Sequence, residues 1–236
     1  MEVFKSDDGN YDPYFDESAT NEASLQRNWL VLGKLFSLGG TIKLTKDYTA
    51  TATTDVCLTV PSETTLTLDL NGHTINRNLS SAATNGCAIW NRGQLTITDT
   101  SGGTEGVITG GKNSYAGGGI DNQGTLTIVK GRITGNSTST NGGGINNQGT
   151  LNIQGGTITG NTATENGGGI YHNGTAVNSL NIQGAPNITS NTANLEPNNV
   201  YLLTGKVITI PAALTTGVIG VSMQTLGIFT SGLATG

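Results

Sequence analysis

Charge is scarce in this chain: Asp, Glu, Lys and Arg make up 11% of its 236 residues, against about 25% in an ordinary globular domain. The eleven Lys and Arg are scattered and the formal net charge is −5, so no basic stripe exists to neutralise phosphates. A nucleic-acid partner is therefore not expected. Apolar residues are also thin, 34% against the usual ~45–50%. They never form the run of about 20 residues that a membrane span needs, so no membrane insertion is expected. The opening MEVFKSDDGN lacks the apolar core of a signal peptide. With no cap evident in the closing GIFTSGLATG, the chain is expected to be a domain of a longer precursor. There are only two cysteines. Counting back along the strands from Val60 and Ile89 turns Cys87 inward and Cys57 outward, so no disulfide is expected between them. The reading is one buried thiol and one free or loop-covered thiol.

What fills the space is Gly (36 residues), with abundant Thr and Asn. Aperiodic, that mixture would read as disorder; here it repeats. GGGIDNQGTLTIVKGRITGN begins at Gly117, GGGINNQGTLNIQGGTITGN at Gly142, and a third GGGI at Gly167. Ile120, Ile145 and Ile170 therefore stand 25 residues apart. Each unit holds three short apolar words separated by Gly and Asn, with no helical stripe. That predicts an all-β, right-handed, single-stranded parallel β-helix in which each coil buries its inward residues on the next.

Three faces align along the chain. The first carries Val60, Ile89, Ile120, Ile145, Ile170 and Val200. The second carries Leu66/Leu68, Leu95/Ile97, Leu126/Ile128, Leu151/Ile153, Leu180/Ile182 and Ile208/Ile210. The third carries Ile42, Ile75, Ile108, Ile133, Ile158 and Ile188, with Leu214 a possible seventh. About six coils result, rising ~4.8 Å each. Asn136, Asn161 and Asn191 recur three residues after the third-face Ile and read as a structural amide ladder. Asn122 and Asn147 read as turn formers. Insertions fall at Thr100–Gly106 and Asn173–Ser179, where loops would leave the coil.

Before the coils, residues 1–17 read as a flexible acidic leader. Asp8, Asn10 and Asp12 have calcium-loop spacing, but Pro13 stands where such a loop needs Gly and Ala19 where it needs Glu, so no metal is expected there. Residues 18–40 read as a capping helix: Ser18 or Thr20 caps it, Leu25, Trp29, Leu32 and Phe36 form one stripe, and Gly39–Gly40 stop it. It would cover the raw end of the first coil. Residues 41–236 read as the β-helix with an irregular C-terminal end.

TLTLDLNGHTI at Thr65–Ile75, the opening GGTIKLTKDY, the GGGI…GTLTI…ITGN repeats and the closing NNVYLLTGKVITI resemble one family over residues ~20–230. It is that of the right-handed β-helix repeat domains of large bacterial surface proteins, often described as adhesin-like. The resemblance implies a secreted or wall-attached stalk or adhesive module without enzyme activity, extracellular or at the cell surface.

Enzymes share this architecture, polysaccharide lyases and polygalacturonases among them, so the site must decide. The repeats hold few acids: Asp69, Asp99, Glu105, Asp121 and Glu165. Asp121 and Glu165 lie about two coils, ~10 Å, apart with no linking motif, and they read as surface carboxylates. His73 and His172 are separate turn residues that make neither a triad nor a metal site. No catalytic residue, metal or cofactor is expected. One column of threonines, Thr109, Thr134, Thr159 and Thr189, is too thin an array for an ice-binding face. A binding strip is the better candidate. Trp90, Asp121, Asn146, Tyr171 and Tyr201 follow the inward first-face column and should point outward. The small Ala88, Gly119, Gly144 and Gly169 beside them would make a glycine floor. Rings and polar groups over such a floor suit an extended glycan or a host-surface ligand.

Overall fold

The computed structural model describes residues 22–51, 55–176 and 178–231, with side chains from Asn28 onward. The acidic leader with its Asp8–Asp12 spacing, the Ser18/Thr20 cap and the Leu25 side chain lie outside the described residues. The described chain is a right-handed parallel β-solenoid of about six turns with one N-terminal helix.

The repeated apolar words become strands because each pairs with its counterpart one coil away. Isoleucines 120, 145 and 170 are direct partners, flanked by Ile89 and Val200. A seven-stranded first sheet runs from Leu58–Val60 to Val221–Met223. An eight-stranded second sheet runs from Gly40–Lys43 to Thr230–Ser231. A seven-stranded third sheet runs from Tyr48–Thr49 to Val218–Ile219. The inward residues of all three form one continuous buried core. Period-two alternation produces it: first-sheet strands bury their first and third side chains, second-sheet strands their second and fourth, and third-sheet strands their central one, as in Ile89–Asn91, Thr125–Ile128 and Thr157–Thr159.

The end coils correct three register readings. Leu58, not Val60, pairs with Ile89, because the turn around Pro61–Glu63 spends two more residues than the next three coils do. Ile42 lies in the second sheet beside Leu68, and Tyr48 takes the third-face place below Ile75. At the other end Ile219, not Leu214, stacks on Ile188; Leu214 is 46% exposed and only bridges to Gly184. A fourth ladder has no apolar signature at all. Its two-residue strands, Lys112–Asn113, Ser137–Thr138, Thr162–Ala163 and Thr192–Ala193, run parallel and are closed by the antiparallel Glu196–Pro197.

The cysteines also overturn expectation. Cys57 and Cys87 form a disulfide with Cα atoms 5.5 Å apart, both buried. Strand parity fails there because both precede their strands, at a corner where the pleat no longer dictates direction. The bridge ties the segment before the first coil's strand to the second coil.

That segment also holds the helix Glu22–Leu38, which covers the end of the core. Trp29, Leu32, Leu35 and Phe36 are buried on one side. The Trp29 indole N–H donates to the Val56 carbonyl at 3.0 Å. Arg77, 1% exposed, donates to the Asp55 carbonyl and lies with its guanidinium carbon 6.0 Å from the centroid of the Trp29 ring. The helix stops at Gly39, whose positive φ of 76° lets its N–H reach back to Leu35 O.

Candidate functional site

The first sheet sets the candidate strip. Trp90, Asp121, Asn146, Tyr171 and Tyr201 are the central residues of successive three-residue strands, and each is the direct register partner of the next. Flanking side chains such as Ile120 and Asn122 turn inward, so the central one turns outward. The Tyr171 and Tyr201 rings stack with centroids 5.9 Å apart and planes 10° from parallel. Burial pushes the Tyr171 hydroxyl above its ordinary pKa, aided by Tyr201 and Glu165 nearby.

The strip is interrupted in the middle. Asn146 is 1% exposed and cannot meet an extended ligand. Its amide donates to Asp121 Oδ1 at 2.7 Å, which makes it a support for that carboxylate. Asp121 itself is half-covered. Burial pushes its pKa up, and hydrogen bonds from Asn146 and Gln123 pull it back in part.

The floor is also different from the one expected. Gly119, Gly144 and Gly169 are buried and face the amide ladder. A Cβ at Gly144 would lie 2.6 Å from Gly169 O and 3.1 Å from Asn161 Nδ2. The glycine beside the strip is the first of each triplet. A Cβ at Gly117 or Gly142 would stand 2.8 Å from the Cα of Asp121 or Asn146. Those residues have φ near +70°, so the triplet folds tightly back against the strand that follows.

At the Trp90–Asp121 end lies a cleft of about 200 Å³. Beside those two residues it is lined by Asn85, Asn113, Tyr115, Ala116 and Gln148, with the disulfide as one wall. The Arg92 guanidinium carbon sits 5.1 Å from the centroid of the Trp90 ring. Tyr115 was not legible as a site residue, since it lies in the corner between the third and first faces. Its signal was its place: the corner ladder sets it in line with Thr140 and Glu165, where it alone is aromatic.

Two buried amide ladders hold these surfaces in register. In one, Asn136 donates to Asn161 Oδ1 (3.1 Å), Asn161 to Asn191 (3.0 Å) and Asn191 to Asn199 (3.0 Å). Each also donates to a main-chain carbonyl of the preceding coil, Ile108, Ile133 or Ile158. In the other, Asn91 donates to Asn122 (2.7 Å), Asn122 to Asn147 (2.7 Å) and Asn147 to His172 Nδ1 (2.9 Å). Asn122 and Asn147 are thus wholly buried rungs rather than surface turn formers, and His172 ends their ladder.

Burial, reinforced by Lys206, lowers the His172 pKa to about 4. A neutral ring accepts from Asn147 at Nδ1, leaving the proton on Nε2, which faces Ser179 Oγ at 3.4 Å. Because the unfolded histidine titrates near 6.5, the unfolded chain binds more protons between pH 6.5 and 4. Stability is therefore full above pH 6.5 and falls by up to about 3 kcal/mol as the pH drops to 4. His172→Asn, which continues the ladder with the residue type of the other coils, should remove that part of the acid sensitivity. Urea midpoints at pH 7 and pH 4.5 for the two proteins check this.

The remaining candidates lie apart. His73 Nδ1 sits 3.4 Å from Asp47 Oδ1 at the surface, and Glu165 accepts from Asn141 at 3.0 Å. Asp69 and Asp99 are buried and pin the Thr100–Gly106 loop. Asp69 accepts from the Thr100 N–H and hydroxyl, and Asp99 from the N–H groups of Gly72, Ser101 and Gly106. Burial raises the Asp99 pKa, but the hydrogen bonds from Ser101, Gly106 and Gly72 outweigh it and hold it below the ordinary carboxylate value. Thr134, Thr159 and Thr189 stack in one half-buried column of the third sheet. Among the described residues, no three His, Cys, Asp or Glu side chains gather as a metal site.

No protein-family model, curated protein or solved structure matches the chain.

Proposed function

We propose that the chain is a non-catalytic structural and adhesive β-helix module of a bacterial surface or secreted protein, and that its first sheet holds a glycan weakly along the solenoid axis. What carries the reading is the in-register row itself. It places a stacked tyrosine pair at one end and an aromatic-lined cleft with one carboxylate at the other, all on a rigid sheet. Sugar rings stack on aromatic faces, and a rigid platform limits the entropy lost on binding. The Cys57–Cys87 disulfide supports an oxidising, extracytoplasmic setting. Among the described residues, Asp121 is the only carboxylate lining the cleft, whereas glycoside hydrolysis ordinarily uses two.

Glycan-array binding tests the reading. The native protein should retain extended glycans weakly, and Trp90→Ala and Tyr171→Ala should each weaken retention about 5- to 30-fold, the value of one ring contact. Retention unchanged in both variants would move the site off this row. Release of reducing or unsaturated sugar, abolished in Asp121→Asn, would show an enzyme instead.

A further inference from the structure

We infer that the cleft at Trp90, Tyr115 and Asp121 is a subsite for a single neutral pyranose ring, the end residue of a glycan lying along the row. The inference rests on the glycan reading above and names the ligand class and the anchoring point.

Size limits the occupant. About 200 Å³ is below the ~300–1,000 Å³ of sites that enclose drug-sized ligands, so the cleft takes one ring and not two. Position makes that ring terminal, because the Cys57–Cys87 disulfide closes one wall and beyond Trp90 the row has one further member, Thr59 of the first coil, before the covering helix, whereas the other way it runs on through Asn146 to Tyr171.

Composition sets the class. Tyr115 is 66% exposed, yet its backbone is fixed on both sides. Its N–H donates to Asn113 Oδ1 at 3.3 Å, and its carbonyl accepts from the Thr138 hydroxyl at 2.7 Å. Asn113 in turn donates to Ala116 O at 2.6 Å, so the tight turn presents the ring without loop freedom to lose. Opposite it, the Asp121 carboxylate is held by the Asn146 amide and offers its remaining acceptor capacity to ligand hydroxyls. The exposed amides of Asn85 and Gln148 supply donors at the rim. The Arg92 guanidinium lies over the Trp90 ring and is not among the lining residues; the lining itself, two aromatic walls, one oriented acceptor and neutral amides, suits a polyhydroxylated, uncharged ring. A ligand carboxylate brought beside half-buried Asp121 would meet like charge where water cannot screen it.

The test is ligand-observed NMR and calorimetry on the full chain. The probes are the methyl glycosides of glucose, galactose, mannose and N-acetylglucosamine, the methyl glucuronide as charged counterpart, and a neutral tetrasaccharide of each of the four neutral sugars. At least one neutral methyl glycoside should bind, with the glucuronide about tenfold weaker or worse. Tyr115→Ala should weaken the monosaccharide about fivefold and Asp121→Asn about tenfold. Tyr171→Ala should weaken the tetrasaccharide alone. Far-UV circular dichroism melts confirm that each variant folds. Tetrasaccharide binding that depends on Tyr171 but not on Tyr115 would overturn the end-residue subsite and leave the row reading intact. Preference for the glucuronide would overturn the neutral class. Absence of binding at both lengths would overturn the subsite and the glycan reading together.

Discussion

Ile145→Asp is expected to abolish cooperative folding or to destabilise the protein by more than about 4–5 kcal/mol. Ile145 is 0% exposed and sits between Ile120 and Ile170 in the middle of the first sheet. Losing the apolar side chain alone forfeits about 2–5 kcal/mol, transfer and cavity together. The carboxylate then has no partner in a dry stack and must either ionise unpaired or take up a proton. Because each coil buries its neighbours, the damage reaches both halves of the solenoid. Urea unfolding followed by circular dichroism reads it out, with Ile145→Val as the matched control at about 0.5–1.5 kcal/mol. A Val-sized loss for the Asp variant would mean that the column is wet or loosely packed.

Gly143→Val is expected to be nearly as damaging, although it adds apolar volume to a buried place. A Cβ at Gly143 would stand 2.3 Å from Thr162 O and 2.5 Å from Gly168 O, both backbone atoms. Neither can retreat freely: the Gly143 N–H donates to Gly167 O, and its carbonyl accepts from Gly119, so the coils on both sides are bonded to it. Overpacking that cannot be relieved by a rotamer change exceeds the usual 1–3 kcal/mol, and about 4 kcal/mol or more is expected. Gly102→Ala is the contrast, since a Cβ there meets nothing within 4 Å. It should change stability by less than about 0.5 kcal/mol. Thermal and urea midpoints of the pair separate close approach from a general glycine effect.

The period-25 isoleucines made the solenoid readable because inward side chains must recur wherever coils stack, and stacking fixes their register to the residue. The same logic placed Trp90, Asp121, Asn146, Tyr171 and Tyr201 in one row, since outward direction follows from strand parity. Parity stops at the strand ends, where the reading failed. Cys57 and Cys87 meet at a corner whose backbone direction no alternation encodes. The first coil slipped by two residues because its turn is longer, and a two-residue slip keeps parity and leaves no trace in the pattern. Asn146 obeys parity and still lies buried, because its exposure depends on what covers the row and not on the strand that carries it.

The sequence by itself determined the architecture: short two-period words at a constant repeat have one economical way to bury their isoleucines, in parallel coils sealed at one end by an apolar-striped helix. It also determined which residues stack on which through the regular repeats, because hydrogen-bonded neighbours in such a coil are simply one period apart. Only the tertiary structure decided how the corners pack. There, backbone from different faces comes within van der Waals contact, and direction depends on turn geometry that side-chain pattern does not carry. That contact turned the inner glycines toward the amide ladder, brought the two cysteines together and set Tyr115 across from Trp90 and Asp121 to form the cleft.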